Sequence, residues 1–118
     1  MRPRDSLLEA LLALRALSPR ISLNEIVAFL YTCENEGLSV MELAYVAGLT
    51  QSTASRSLRS LGRPGTDWAQ EPALGLVDAF LNPADARSHV IHLTEEGRAM
   101  RERLDELIRR CVTIEYGT

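Results

Sequence analysis

SVMELAYVAGLTQSTASRSLRSLG, residues 39–62, reads as two short helices joined by a turn. Ser39 with Glu42 three positions on is a capping box, so a helix opens there with Met41, Leu43, Ala44 and Val46 as its apolar positions. Gly48 closes it, and Leu49 is an apolar plug in the turn. Thr50 then caps a second helix whose buried stripe is Ala54, Leu58 and Leu61. At about 100° per residue, Ser52, Arg56 and Arg59 fall opposite that stripe, flanked by Gln51, Thr53, Ser55 and Ser60. From Thr50 to Thr66 there are three arginines and no acid. Such a local inversion of charge suits a polyanion, and the arrangement is a helix-turn-helix, whose second helix enters the major groove of DNA. The same residues also suit a solvated helix of a three-helix bundle. This stretch alone leaves both readings open.

Working back toward the N-terminus, Ser22 with Glu25 forms another capping box and opens a helix from about Leu23 to Glu36. Ile26, Val27, Phe29, Leu30 and Cys33 form its core face, and Gly37 terminates it before the extended link Leu38-Ser39. Cys33 is read as a small buried apolar residue, with a redox-sensing thiol as the alternative. Ahead of Ser18-Pro19 lies a helix over residues 5–17, capped by Asp5 or Ser6, behind a short mobile lead of Met1 to Arg4. Its Leu7, Leu8, Leu11, Leu12, Leu14 and Leu17, interleaved with alanines, are apolar around most of the circumference. A helix of this kind needs cover on more than one side, either deep in the core or from a second copy of the chain.

On the C-terminal side, Arg63 to Leu74 (RPGTDWAQEPAL) is a loop in which Trp68 packs down as an anchor, with ligand stacking as its alternative role. Gly75 to Leu81 and His89 to Leu93 are then two strands of a hairpin across the turn residues 82–86. Ile91 and Leu93 face inward, Val90 and His92 outward, and His89 shares the inward parity near the tip. The two histidines therefore sit on opposite faces and share no metal site. Thr94 caps a long final helix over residues 95–116, with Glu95 and Glu96 in its first turn and a seam of Met100, Leu104, Leu107, Ile108 and Cys111. The two terminal helices are expected to pair across a two-fold axis, with Cys111 in the core or the interface.

A chain of 118 residues with 46% hydrophobic and 25% charged residues is expected to fold as one domain, 1–118. Neither a membrane span nor a secretory segment is read, and Cys33 and Cys111 show no CxxC spacing, so a cytoplasmic protein is expected. The net charge of −3 runs against a nucleic-acid partner in bulk, yet the acids concentrate in the second and last helical regions, away from residues 50–66. No nucleophile paired with a base, no metal cluster and no phosphate loop is read, so neither enzymatic activity nor a cofactor is expected.

These elements make a mainly α chain with a small β-hairpin wing, that is, a winged helix-turn-helix. Five blocks of residues resemble the MarR family over about Leu23 to Leu107. They are Met41-Glu42-Leu43-Ala44, Gln51-Ser52-Thr53-Ala54-Ser55-Arg56 with Leu58 and Leu61, Gly75-Leu76-Val77, Asp85-Ala86-Arg87, and Leu93-Thr94-Glu95-Glu96-Gly97. A wing carrying Asp-x-Arg and closing in Leu-Thr-x-x-Gly is the specific part. The resemblance implies a homodimeric, sequence-specific transcriptional regulator, usually a repressor, with 23–94 as its DNA-binding core and 75–94 as the wing. Its double-stranded DNA site would be pseudo-palindromic, with half-sites about one helical turn apart.

By matching position, Ser52, Thr53, Ser55 and Arg56 would contact DNA in the major groove and Arg87 would be the wing arginine. Gln51 and Arg59 complete the candidate DNA-binding set. A small-molecule effector is a further implied partner, though the short terminal helices leave little room for a pocket. Two features depart from the family: the inserted stretch Arg63 to Leu74, and a wing whose one arginine is Arg87. Together with the acidic net charge they favour the competing reading, a winged helix that binds proteins and not DNA.

Overall fold

The computed structural model describes residues 2–117, with side chains through residue 109. Helices α1 (Pro3–Leu17), α2 (Leu23–Glu34), α3 (Val40–Ala47) and α4 (Gln51–Ser60) precede the antiparallel strands β1 (Val77–Asn82) and β2 (Asp85–Leu93), and α5 (Glu95–Gly117) ends the chain. Side chains set most of the helix starts. The amides of Glu25 and Glu42 each donate to the serine hydroxyl three residues back at 3.1 Å, and each glutamate accepts that serine's amide in return. Thr50 Oγ1 accepts from Thr53 N at 3.1 Å, and Gly48 closes α3 at φ +68, a left-handed value that suits glycine.

The first helix starts earlier than expected. Pro3 occupies its first turn, where a missing N–H leaves nothing unpaired, and Asp5 accepts from Arg2 N at 3.1 Å, so Pro3 and Arg4 belong to the helix and not to a lead. Ser6, expected as a cap, is buried and donates its hydroxyl to the Leu107 carbonyl at 3.0 Å, pinning α1 to α5. The α2 helix stops at Glu34, and its buried face is Ala28, Phe29 and Thr32. Leu30 is 45% exposed, in place of the core position expected for it, and the apolar Met41 and Val46 on α3 are exposed as well. A domain this small has too few neighbouring elements to cover both flanks of these helices.

The wing is longer than its apolar pattern indicates. Only Pro83 and Ala84 form the turn, so β2 begins at Asp85 and not at His89, while β1 begins at Val77 and not at Gly75. Ala79 faces Ile91 and Phe80 faces Val90 across the ladder. The link after α2 runs beside β2, with Gly37 N donating to Ile91 O at 2.7 Å and Ile91 N to Leu38 O at 2.9 Å. Phe29, Leu58, Leu61, Leu76, Val77, Ile91 and Leu93 meet in the core between α2, α4 and the wing base.

Thr94 joins wing to helix. Its N–H donates to Leu76 O at 3.0 Å, its hydroxyl donates to Gly75 O at 2.6 Å, and that hydroxyl accepts from Gly97 N at 2.9 Å. A side chain at Gly97 has no room, because its Cβ collides with the Leu76 carbonyl oxygen. Backbone on both sides leaves nothing to yield. Gly97→Ala is therefore expected to destabilise the fold by about 3 kcal/mol, lowering the melting temperature by roughly 10 °C. A melting curve within 2 °C of wild type, by an approximate margin of measurement, would refute this account of the Leu-Thr-x-x-Gly turn.

Candidate nucleic-acid interface

Burial of Ala54, Leu58 and Leu61 turns the opposite side of α4 to solvent. Gln51, Ser52 and Arg56 are exposed, while Thr53, Ser55 and Arg59 are half-buried. Thr53 lies against the cap, accepting the Thr50 hydroxyl at 2.9 Å. Arg56 makes no ion pair among the described residues and borders a polar groove of about 280 Å³. The groove runs from Ser22, Asn24 and Glu25 at the start of α2 to Thr53, Arg56 and Ser60 on α4. The α2 end of this surface was not picked out in the sequence, where the Ser22 capping box was its only signal.

Arg59 is held differently from Arg56. Its Nε donates to Ser55 Oγ at 3.3 Å, its Nη1 donates to the Trp68 carbonyl at 3.0 Å, and its guanidinium lies 5.4 Å from the centre of the Trp68 ring. Trp68 is packed on the core, in keeping with its expected role as a loop anchor, and its ring centre is 6.0 Å from that of His89 on β2. Arg63 is committed as well, donating to both carboxylate oxygens of Asp78 at 2.8 Å. The Arg63 guanidinium holds the Asp78 carboxyl below its ordinary range. On the wing the Arg87 side chain is 94% exposed, with Asp85 Oδ1 at 3.6 Å from its Nε.

Glu36 gathers partners that no local pattern reveals. Its carboxylate accepts from Leu93 N at 2.8 Å and lies 3.4 Å from Arg98 and 3.7 Å from His92. Residues separated by 57 and 62 positions in sequence thus meet at the base of the wing. His89 and His92 point to opposite faces of β2, and no group of three or more potential metal ligands occurs among the described residues. Burial pushes the Cys33 thiol up to about 11, so at neutral pH it is protonated and unreactive, which supports the packing role over the sensing one. Cys111 lies outside the described side chains. No described helix is long and apolar enough to cross a membrane.

No protein-family model matches the sequence, and no curated protein matches it. Solved structures do match. A MarR transcriptional regulator from Methanosarcina mazei Go1 superposes at a TM-score of 0.62 with 16% identity, over 84% of this chain and 64% of that one. RV1404 from Mycobacterium tuberculosis gives 0.75 at 16% identity, over 98% and 72%, and S. aureus MepR in its DNA complex gives 0.72 at 18%, over 96% and 81%. The fold is that of the MarR regulators. The chain spans just under two thirds of the Methanosarcina protein's length. At these identities the MarR likeness is one of architecture, carried in this chain by five helices and a two-stranded wing.

The Arg63–Asp78 pair fastens the inserted loop to the wing, and its pH dependence has a definite sign. A carboxyl whose folded pKa is depressed stabilises the fold above its unfolded value and loses that contribution as pH falls through the folded value. The melting-temperature gap between wild type and Arg63→Ala should therefore be constant above about pH 4 and shrink below it. A gap unchanged down to about pH 2 would show that the pair adds nothing through its charge.

Proposed function

We propose that this chain is a dimeric, sequence-specific DNA-binding regulator, and a repressor by occupancy of its site. The observation that carries the reading is the outward face of α4. Gln51, Ser52 and an Arg56 without an ion pair among the described residues stand exposed on a helix with no acid, in the fold of the MarR regulators. Ser52 and Arg56 read base edges in the major groove, Thr53 and Ser55 support them, and Arg87 enters the minor groove from the wing. MepR, which shares the architecture, was solved as a DNA complex.

Dimerisation is supported by α1. Leu7 and Leu8 are 59% and 55% exposed, and Leu11, Leu12 and Leu17 remain exposed beside them, because α5 covers only the face with Ala10 and Leu14. A second copy buries that surface and sets two α4 helices on a pseudo-palindrome about one helical turn apart. Leu8→Glu should convert a dimer in light scattering to a folded monomer. A wild-type monomer at micromolar concentration would contradict the dimer.

The first test is fluorescence anisotropy with DNA from upstream of the chain's own gene, beside random duplex, at several salt concentrations. With Arg56 on α4 and Arg87 on the wing as the two cations proposed to meet DNA in each protomer, the slope of log affinity against log salt is expected near about −4 for a dimer. Arg56→Ala and Arg87→Ala should each weaken binding by at least about tenfold while leaving the melting curve unchanged. One observation favours the protein-binding alternative: Phe80 and Leu81 stand 52% and 62% exposed on the wing. Folded protein that binds no DNA at low salt would decide for that alternative.

A further inference from the structure

We infer that Arg59 and Trp68 form a strut that fixes the angle between α4 and the wing, which makes Trp68 a specificity-determining residue that does not itself touch DNA. The inference rests on the DNA reading proposed above. The helical wheel places Arg59 on the same side of α4 as Arg56, yet the two arginines are used differently. Arg56 is open, whereas the Arg59 guanidinium bonds to Ser55 Oγ and the Trp68 carbonyl and lies over the Trp68 ring. That ring reaches His89 on β2. A continuous set of side-chain contacts therefore runs from the recognition helix through the loop to the wing.

The loop is fastened at every DNA-facing element. Gln70 N donates to Arg59 O, which also accepts from Gly62 N, and Leu74 N donates to Ser60 O, each loop amide at 2.9 Å from a carbonyl at the end of α4. Arg63 grips Asp78 on β1. Space is tight where the loop crosses the helix end, since a Cβ at Gly62 would lie 2.8 Å from the Ala69 Cβ. Base readout needs side chains held within about 0.5 Å and 10–20° of their productive geometry, whereas attraction to phosphates tolerates more. Loosening the strut therefore lowers discrimination between sequences before it lowers binding to DNA in general.

The experiment uses the full chain, a duplex selected from a random library by the wild-type protein, and a scrambled duplex of the same composition. Arg59→Ala and Trp68→Ala are each expected to reduce the selected-to-scrambled affinity ratio by about tenfold, as much as one wrong base pair. Affinity for scrambled DNA and the salt slope should stay as in wild type. The double variant should match either single one within about twofold, because the two residues act through one contact. Trp68→Phe, which keeps a ring under the guanidinium, should restore most of the ratio. Arg59→Ala should also make Trp68, the chain's one tryptophan, more open to acrylamide quenching without DNA present.

An Arg59→Ala variant that loses scrambled-DNA affinity and flattens the salt slope would make Arg59 a phosphate contact and overturn the strut. A Trp68→Ala variant with the wild-type ratio would overturn it too. Wild-type protein that selects no duplex overturns the DNA reading itself, and in that case unchanged quenching in Arg59→Ala separately rejects the strut.

Discussion

A short run of main chain holds α4, the wing and the long helix α5 together. The Leu61 carbonyl accepts from both Leu76 N and Val77 N, at 2.8 and 3.0 Å, and the Leu76 carbonyl in turn accepts from Thr94 N. Leu61, Leu76 and Val77 are fully buried at this seam, so those carbonyls and amides have only one another as partners. An unpaired buried main-chain group costs about 1–3 kcal/mol, which makes this arrangement hard to shift piecemeal. The Thr94 hydroxyl and the bare Cα of Gly97 let α5 begin against the same strand. The end of α4, the start of β1 and the first turn of α5 consequently behave as one joint.

A chain with net charge −3 can still present open cations on the face proposed to meet DNA. Most arginines near the wing are already committed. Arg63 is bonded to Asp78, Arg98 lies by Glu36, and Arg59 is folded over Trp68. Arg56 is left open on α4, and on the wing Arg87 remains 94% exposed beside Asp85. The charge that matters is the fraction left over after internal pairing, and bulk net charge measures a different quantity. On the proposed DNA reading, a face with so few open cations gives little sequence-independent attraction, so discrimination would depend on geometry. In that setting a strut that fixes geometry has more effect than another charge.

Much of the fold was legible in the sequence because its signals are local. Ser22 with Glu25, Ser39 with Glu42, Thr50 and Gly48 each bond within a few residues of themselves, so pattern and structure coincide at the starts of α2, α3 and α4. The inward parity of Ile91 and Leu93 follows from a period of two and is observed. What was not legible depends on distant partners. A helical wheel gives the direction of Arg59 but not the tryptophan nine residues on that occupies it. Leu30 has the spacing of a core residue and lacks a neighbour to cover it. The strand from Asp85 to Ser88 has no apolar alternation: Asp85 pairs with Asn82 across a two-residue turn, and Ala86 to Ser88 lie in an irregularity before His89 pairs with Leu81.

The wing and its flanking helices are joined to the long helix in a second way, and this bears on how two copies are spaced in the proposed dimer. Glu36 sits between α2 and α3, yet its carboxylate bonds to the Leu93 amide at the end of the wing and lies by Arg98 and Arg101 on α5. The main-chain joint at Leu61 and Leu76 fixes where α5 starts. Glu36 supplies a second point of attachment one turn further along α5, on the other side of the wing base. Two separated attachments define a direction. With α1 held to α5 through Ser6 and Leu107, the exposed leucines of α1 keep a fixed orientation relative to the face of α4. A dimer closed through those leucines sets the distance between its two α4 helices by the same contacts that hold each copy together.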